Sequence, residues 1–286
     1  MDKESSFQEH RPLLFSLAYR MLGTRSDAED IVQDAWLRWR SAPVEEIRSP
    51  KSYLTTVVAR LALDSLKSAR RKRETYMGEW LPEPLVEPPG SSAVEMAESL
   101  SLAFLHILET LSPEERIAFL LREVFDAEYS EIASTLETSE ANCRQLIARA
   151  RKHIRERRPR FKVDRERQQS VLKEFLAACY TGDPSRLLPM LSPDVVMHSD
   201  GGGKAPATIN PIYGPDKITR FFVGLAKKGI GAGLSVKFAD VNGEPGALLM
   251  AGSTLDTAVS IQLDESGLID RIFLVRNPDK LPPSFD

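Results

Sequence analysis

Asn142, Arg144, Gln145 and Arg149 stand within a few turns of one cationic helical stretch, and their types suit reading a DNA duplex. Asn and Gln pair with adenine, while Arg pairs with guanine or a phosphate. A second candidate surface is the run Lys67-Ser-Ala-Arg70-Arg71-Lys72-Arg73. Such a block serves either as a polyanion-binding face or as a solubilising one. Asp27, Asp30 and Asp34 fall at i, i+3 and i+7 and form an acidic stripe near Trp36. Acid–base catalysis has four candidates in the last third of the chain: His198, Asp200, Tyr213 and Asp256. His198 and Asp200 adjoin Gly201-Gly202-Gly203, which reads as a mobile or closely packed loop rather than a rigid catalytic wall. Metal-ligand spacing is absent, and two cysteines, Cys143 and Cys179, are too few for a disulfide framework or a Cys-based zinc site. The sequence therefore predicts no metal and no cofactor.

The elements that must position these groups follow from periodicity. Leu13, Leu14, Leu17, Ala18, Met21 and Leu22 recur at helical spacing, and Gly23 suits a C-terminal cap. Ser26 or Asp27 is expected to cap a second helix that buries Ala28, Ile31, Val32, Ala35, Trp36 and Trp39. A third helix is expected after Pro50, running through Leu54, Val58 and Leu66 into the basic run. Residues 77–93 carry four prolines and two glycines and read as linker. Helical periodicity resumes at about Val94, and Ser112-Pro113-Glu114-Glu115 opens a further helix. Tyr129 to Leu136, a turn through Glu137-Thr-Ser139, and Glu140 to Ile154 read as a helix-turn-helix. Its second helix turns Cys143, Ile147, Ala150 and Ile154 inward, so Cys143 reads as a core residue and Asn142, Arg144, Gln145 and Arg149 project outward. The last part predicts two helices, a later helix at 215–228 and strands at Val195–Met197, Leu234–Val241, Ala247–Ser253, Ala258–Leu263 and Leu268–Val275. Asn242-Gly243 marks a hairpin, and the expected domain is α+β with a curved antiparallel sheet.

Composition bounds the class. The 286 residues are 42% hydrophobic and 28% charged, as in a folded chain with no membrane-spanning stretch and no secretion signal. A reducing cytoplasm is the expected compartment. Net charge is −3, which taken alone argues against a nucleic-acid partner. The average hides a strong pattern: net −7 across residues 74–110 and net +8 across 144–162.

The stretch Asp27-Ala-Glu-Asp-Ile-Val-Gln-Asp-Ala-Trp36, with Ser52-Tyr53-Leu54 through Arg60 to Asp64 and the basic run, resembles region 2 of extracytoplasmic-function (ECF) bacterial sigma factors. Leu111-Ser-Pro-Glu-Glu-Arg116 through Ile154 resembles their region 4. Trp80-Leu-Pro-Glu-Pro84, Asp200-Gly-Gly-Gly-Lys204 and Asn277-Pro-Asp-Lys-Leu281 look like the ECF41 group of SigJ-like proteins, which carry a fused SnoaL-like (NTF2-like) domain. The resemblance implies a multi-domain chain: sigma region 2 at 1–76, an acidic Pro-rich linker at 77–93, sigma region 4 at 94–163 and an α+β NTF2-like cone at 164–286. It implies binding to core RNA polymerase, recognition of −35 and −10 promoter elements and promotion of strand opening.

Roles for single residues follow from that resemblance. Asn142, Arg144, Gln145 and Arg149 would read the −35 element. Arg60, Lys67, Arg70, Arg71 and Arg73 would neutralise phosphates near the −10 element. The loop from Ser41 to Tyr53 would hold an extruded base, and Tyr53 reads equally as a stacking platform or a core aromatic. Asp27, Asp30 and Asp34, with Trp36, would dock on the basic clamp coiled-coil of the polymerase largest subunit, and region 4 on its flap. The anionic linker would occupy a basic channel of the polymerase, and its Trp80 and Leu81 are expected to pack on a folded surface. The C-terminal extension would regulate in place of a separate anti-sigma protein, through Asp200, Lys204, Asn277, Asp279 and Lys280. Two departures stand out: many ECF factors have Arg-Asn at Ala59-Arg60, and Gly where Glu137 sits in the turn.

Two other classes compete with this reading. A ligand-sensing helix-turn-helix repressor or activator would explain the DNA-reading helix. It would not need the acidic second helix or the aromatic and basic third one. An NTF2-like enzyme fused to a DNA-binding partner would use the four acid–base candidates. The first reading is preferred, and no catalytic residue is assigned.

Overall fold

The computed structural model describes residues 2–43, 47, 49–73, 75–88, 101–157 and 164–282, with the side chains of 70–73 outside that description. The chain divides into two compact units, one of residues 1–75 with 107–158 and the other of 76–106 with 159–286.

The first unit is helical. Helices α1 (Lys3–Leu22), α2 (Arg25–Ser41) and α3 (Pro50–Arg73) pack on one another. Leu14, Leu17, Ala18 and Met21 of α1, Ala28, Val32, Ala35 and Trp39 of α2 and Leu54, Val58 and Leu66 of α3 are all buried where the three helices pack. Gly23 ends α1 at φ 75°, the left-handed cap that its lack of a Cβ permits. Two local expectations are corrected. Thr24, not Ser26 or Asp27, occupies the cap position of α2, and its hydroxyl bonds Asp27. Trp36 is half-buried rather than part of the core, and rests on Phe7 at 5.0 Å between ring centroids. Trp39 does go inside, because its indole N–H finds the Lys3 carbonyl at 2.9 Å.

Four helices follow: α4 (Leu102–Glu109), α5 (Pro113–Glu123), α6 (Tyr129–Leu136) and α7 (Glu140–Arg157). The start of the helix expected from Val94 lies outside the described residues. Ser112 and Glu115 form a reciprocal capping box around Pro113, as their spacing predicts. Arg116 is fully buried, donating to the Leu108 and Met21 carbonyls at 2.8 and 2.6 Å and pairing with Glu109 at 2.6 Å. It thereby ties the end of α1 to the α4–α5 corner.

The second unit is built on one seven-stranded sheet in the order β1-β4-β5-β6-β7-β2-β3. The strands are β1 (Val86–Glu87), β2 (Leu191–Asp200), β3 (Ile212–Tyr213), β4 (Leu234–Val241), β5 (Glu244–Ala251), β6 (Thr254–Leu263) and β7 (Ile269–Val275). The sheet is mixed: β2 runs parallel to β7, which corrects the all-antiparallel expectation. The strand expected to reach Ser253 ends at Ala251, where Gly252 begins the turn at φ 64°. Asn242 and Gly243, at φ 53° and 80°, make the hairpin turn that their types predict.

Both faces of this sheet are buried. On one, Leu172 and Phe175 of α8 (Arg165–Thr181), Leu187 of the short α9 (Pro184–Leu187) and Ile218 and Phe222 of α10 (Pro215–Lys227) cover Ala247, Val259, Ile261 and Ile272. On the other, Leu81 of the linker and Leu102 and Ala103 of α4 cover Val241, Leu248, Met250, Phe273 and Val275. Successive strand residues point to opposite faces, so Ala247 and Leu248 serve different cores, as do Ile272 and Phe273. The linker therefore supplies the second core of the C-terminal domain.

Candidate nucleic-acid interface and linker clasp

The helix-turn-helix is α6 and α7. Ile132 and Ala133 of α6 pack against α7, whose Cys143, Ile147, Ala150 and Ile154 are all buried. The opposite face of α7 is open: Asn142, Arg144, Gln145 and Arg149 are exposed. Ser139 caps the helix by accepting the Asn142 N–H at 3.2 Å. Arg144 pairs with Glu140 at 2.8 Å and sits 4.7 Å from the Tyr129 ring centroid. Arg149 reaches Glu115 at 3.0 Å, and Asn142 reaches the Thr138 hydroxyl at 3.0 Å. Such exposed pairs contribute little stability and are easily exchanged for a phosphate or a base edge. Glu137 in the turn is left-handed at φ 53° and ψ 46°.

Helix α3 faces α6 within the same unit. Arg60 donates to the Ser134 and Thr135 carbonyls at 2.7 and 3.1 Å, and Ser52 donates to Glu131 at 2.7 Å. That hydrogen bond holds the Glu131 carboxyl below its ordinary range. Lys67 is exposed and pairs with Glu114 at 2.8 Å. The side chains of Arg70, Arg71 and Arg73 lie outside the described residues, as do 44–46 and 48 of the loop expected to hold a base. Tyr53 is half-buried against Trp39, with ring centroids 5.6 Å apart. Asp27, Asp30 and Asp34 are all exposed, and Trp36 lines a surface groove with Phe7 and Val32.

In the second unit, the Asp200 carboxylate is fully buried and accepts four hydrogen bonds. They come from Tyr76 Oη at 2.6 Å, the Leu81 and Gly202 N–H groups at 2.9 Å each, and Lys280 Nζ at 2.7 Å. Lys280, itself buried, also donates to the Leu81 carbonyl at 2.6 Å and lies 4.0 Å from the Trp80 ring centroid. Leu81 is buried completely and Trp80 partly. Asn277 donates to Tyr76 Oη at 2.8 Å. Burial, then the bond to Asp200, pushes the Tyr76 phenol well above its ordinary pKa, so it stays a donor. Gly202, at φ +61°, admits no side chain, because a Cβ would fall 2.4 Å from Asn277 Nδ2. The triple-glycine loop is thus the closely packed alternative. Lys204 and Asp279 are exposed and pair with each other. Of the acid–base candidates, Asp200 is saturated with partners, Asp256 pairs with Arg276 at 3.0 Å and Tyr213 is exposed. His198 is buried beside Glu79 at 2.8 Å.

Tyr76, Glu79 and His106 were not singled out from the sequence. Their signal lay in the strands: His198 and Asp200 are two apart in β2 and share the face that the linker covers.

Residues 6–72 match the Sigma-70 region 2 family, and residues 101–154 match the Sigma-70, region 4 family. The chain is 40% identical to the ECF RNA polymerase sigma factor SigJ of Mycobacterium tuberculosis, over 98% of this chain and 93% of that one. The chain belongs to the ECF RNA polymerase sigma factors. This sigma factor is also 33% identical to the probable ECF sigma factor SigI of the same species, over 98% of its own length and 94% of the relative's. The crystal structure of M. tuberculosis SigJ matches it at a TM-score of 0.79 and 38% identity, with 98% of each chain covered. The sigma factor therefore has helical region 2 and region 4 parts followed by an α+β sheet domain that fits the SnoaL-like expectation. It acts in transcription initiation, with core RNA polymerase and promoter DNA as partners. Among the described residues no helix is long and apolar enough to cross a membrane.

Proposed function

We propose that this sigma factor works in the cytoplasm under the control of its own C-terminal domain, with no separate anti-sigma protein. In this reading Asn142, Arg144, Gln145 and Arg149 read the −35 element from α7. Arg60, Lys67, Arg70, Arg71 and Arg73 hold phosphates near the −10 element, and Tyr53 supports the opened strand. Asp27, Asp30, Asp34 and Trp36 dock on the clamp coiled-coil of the polymerase largest subunit, and region 4 on the flap. The exposure of the α7 face and of the α2 acidic stripe supports these roles.

The observation that carries the control is the clasp on the linker. Asp200 and Lys280 hold Leu81 by both of its backbone polar groups: Asp200 accepts its N–H and Lys280 donates to its carbonyl. A linker held this way is not available to thread a polymerase channel, so release of the clasp becomes the controlled step. Asn277 supports it through Tyr76, and Lys204 with Asp279 closes the loop outside it. Run-off transcription with purified core polymerase tests the reading. Chains cut after about Lys162 and after about Val275 are expected to differ from the full chain in transcript yield at a cognate promoter. If neither cut changes the yield, the C-terminal domain does not control the sigma factor.

A further inference from the structure

Glu79, His106 and His198 are far apart in sequence and come from the linker, α4 and β2. The fold gathers one ligand-type atom from each so that all three lie within 4.8 Å of one another. Glu79 Oε1 is 2.8 Å from His198 Nδ1 and 3.8 Å from His106 Nε2. The two imidazole rings are 4.5 Å apart at their centroids, and Phe273 packs against both, stacked on His198 and edge-on to His106. The side chains are 9%, 16% and 24% exposed for His198, Glu79 and His106, so the cluster is largely shielded yet reachable. Glu79 Oε2 is buried without a hydrogen-bond partner, while Oε1 is approached by both imidazoles. Both imidazoles converge on one carboxylate oxygen while the other oxygen is buried without a partner, an arrangement that a bound cation would complete.

We propose that Glu79, His106 and His198 bind a divalent transition-metal ion, zinc foremost, and so tie the linker and α4 to the sheet. Two imidazoles and one carboxylate are a zinc-type donor set, and a water completes four-coordination. Bonds of about 2.0–2.1 Å in a tetrahedral site set neighbouring ligand atoms roughly 3.3 Å apart. The two separations above lie on either side of that distance, so small side-chain rotations suffice. Nitrogen donors disfavour calcium and magnesium, which take oxygen ligands. On binding, His198 turns the Nδ1 lone pair to the ion and carries its ring proton on Nε2, the neutral tautomer that a metal takes. The binding claim is independent of the transcriptional reading above. Its consequence for transcription, a more firmly held linker, rests on that reading.

The test uses the full chain, stripped with a chelator and titrated with zinc against a competing indicator at neutral pH. One equivalent should bind tightly, and magnesium should not compete. Glu79→Gln and His198→Gln should each weaken zinc binding by at least about tenfold, whereas His10→Gln, remote in sequence, should leave it unchanged. Because either variant could unsettle the fold, the unaltered chain is also loaded with cobalt(II). The expected signature is the intense visible absorption of a tetrahedral site, abolished by zinc. Equal zinc affinity in the unaltered chain and both ligand variants, or no zinc-displaceable cobalt band, would overturn the proposal. No polymerase is present, so failure here is distinct from failure of the linker reading.

Discussion

At the residue scale, the second unit turns on a buried ion pair. Asp200 is fully buried and Lys280 nearly so, yet each is surrounded by partners that satisfy its remaining lone pairs or protons. Removing one member of such a pair leaves a buried charge alone and costs about 3–5 kcal/mol. Lys280→Met is therefore expected to lower the thermal midpoint of the second unit and to expose Leu81 to hydrogen exchange, read by mass spectrometry. Tyr76 adds a pH dependence of known sign. Its folded pKa is raised above the ordinary 10.0, so its contribution is fully present below that value and is lost as pH rises through the folded one. The stability gap between the unaltered chain and Tyr76→Phe should stay constant through neutral pH and narrow on the alkaline side. A gap that widens there, in denaturant titrations at stepped pH, would contradict this assignment. Gly202 shows why a glycine run that could signal motion here signals close packing: the space a Cβ needs is filled by Asn277.

At the element scale, the helix-turn-helix was legible because period and cap chemistry agree over α6 and α7. The predicted inward face of α7 is the buried one, and Ser139 is the cap. The turn carries the cost that its sequence announces. A left-handed non-glycine residue is disfavoured by about 1–2 kcal/mol, and glycine returns part of that through backbone entropy. Glu137→Gly should therefore stabilise the helical unit by up to about 1 kcal/mol in urea titrations. Its ion pair with Arg60, at 3.5 Å and with Glu137 largely exposed, is too solvated to reverse the sign. On the DNA side, Arg144→Ala should weaken holoenzyme binding at the −35 element by about 1–3 kcal/mol and relax sequence preference there. The strands were less legible. Apolar runs such as Ala247 to Ala251 mean burial on both faces, and the cover of one of those faces comes from the linker and α4, which local periodicity could not indicate.

At the scale of the whole molecule, the helical unit folds region 2 and region 4 together, and this occupies Arg60, a residue proposed to hold promoter phosphates, with the carbonyls of α6. Promoter engagement by Arg60 then requires α3 and α6 to separate. A bismaleimide cross-link between Ser52→Cys and Glu131→Cys, whose native side chains are hydrogen-bonded at 2.7 Å, should abolish transcript formation. The same double variant without cross-linker should transcribe. Activity that survives cross-linking would show that α3 meets the promoter without leaving α6.

By itself, the amino-acid order determined which stretches are helices, where the helix-turn-helix turns, and that charge is segregated into cationic modules and an anionic linker. These are local properties, set by the spacing of apolar side chains, caps and turn residues over a few turns of chain. The tertiary structure decided where the linker packs, why Asp200 and Lys280 are buried, that β2 lies parallel to β7, and that Glu79, His106 and His198 meet. Each depends on groups tens to hundreds of residues apart being brought into contact by a sheet with two buried faces. The overall charge of −3 belongs to neither account, because electrostatic recognition acts over about a Debye length, and at that range only the local surfaces are seen.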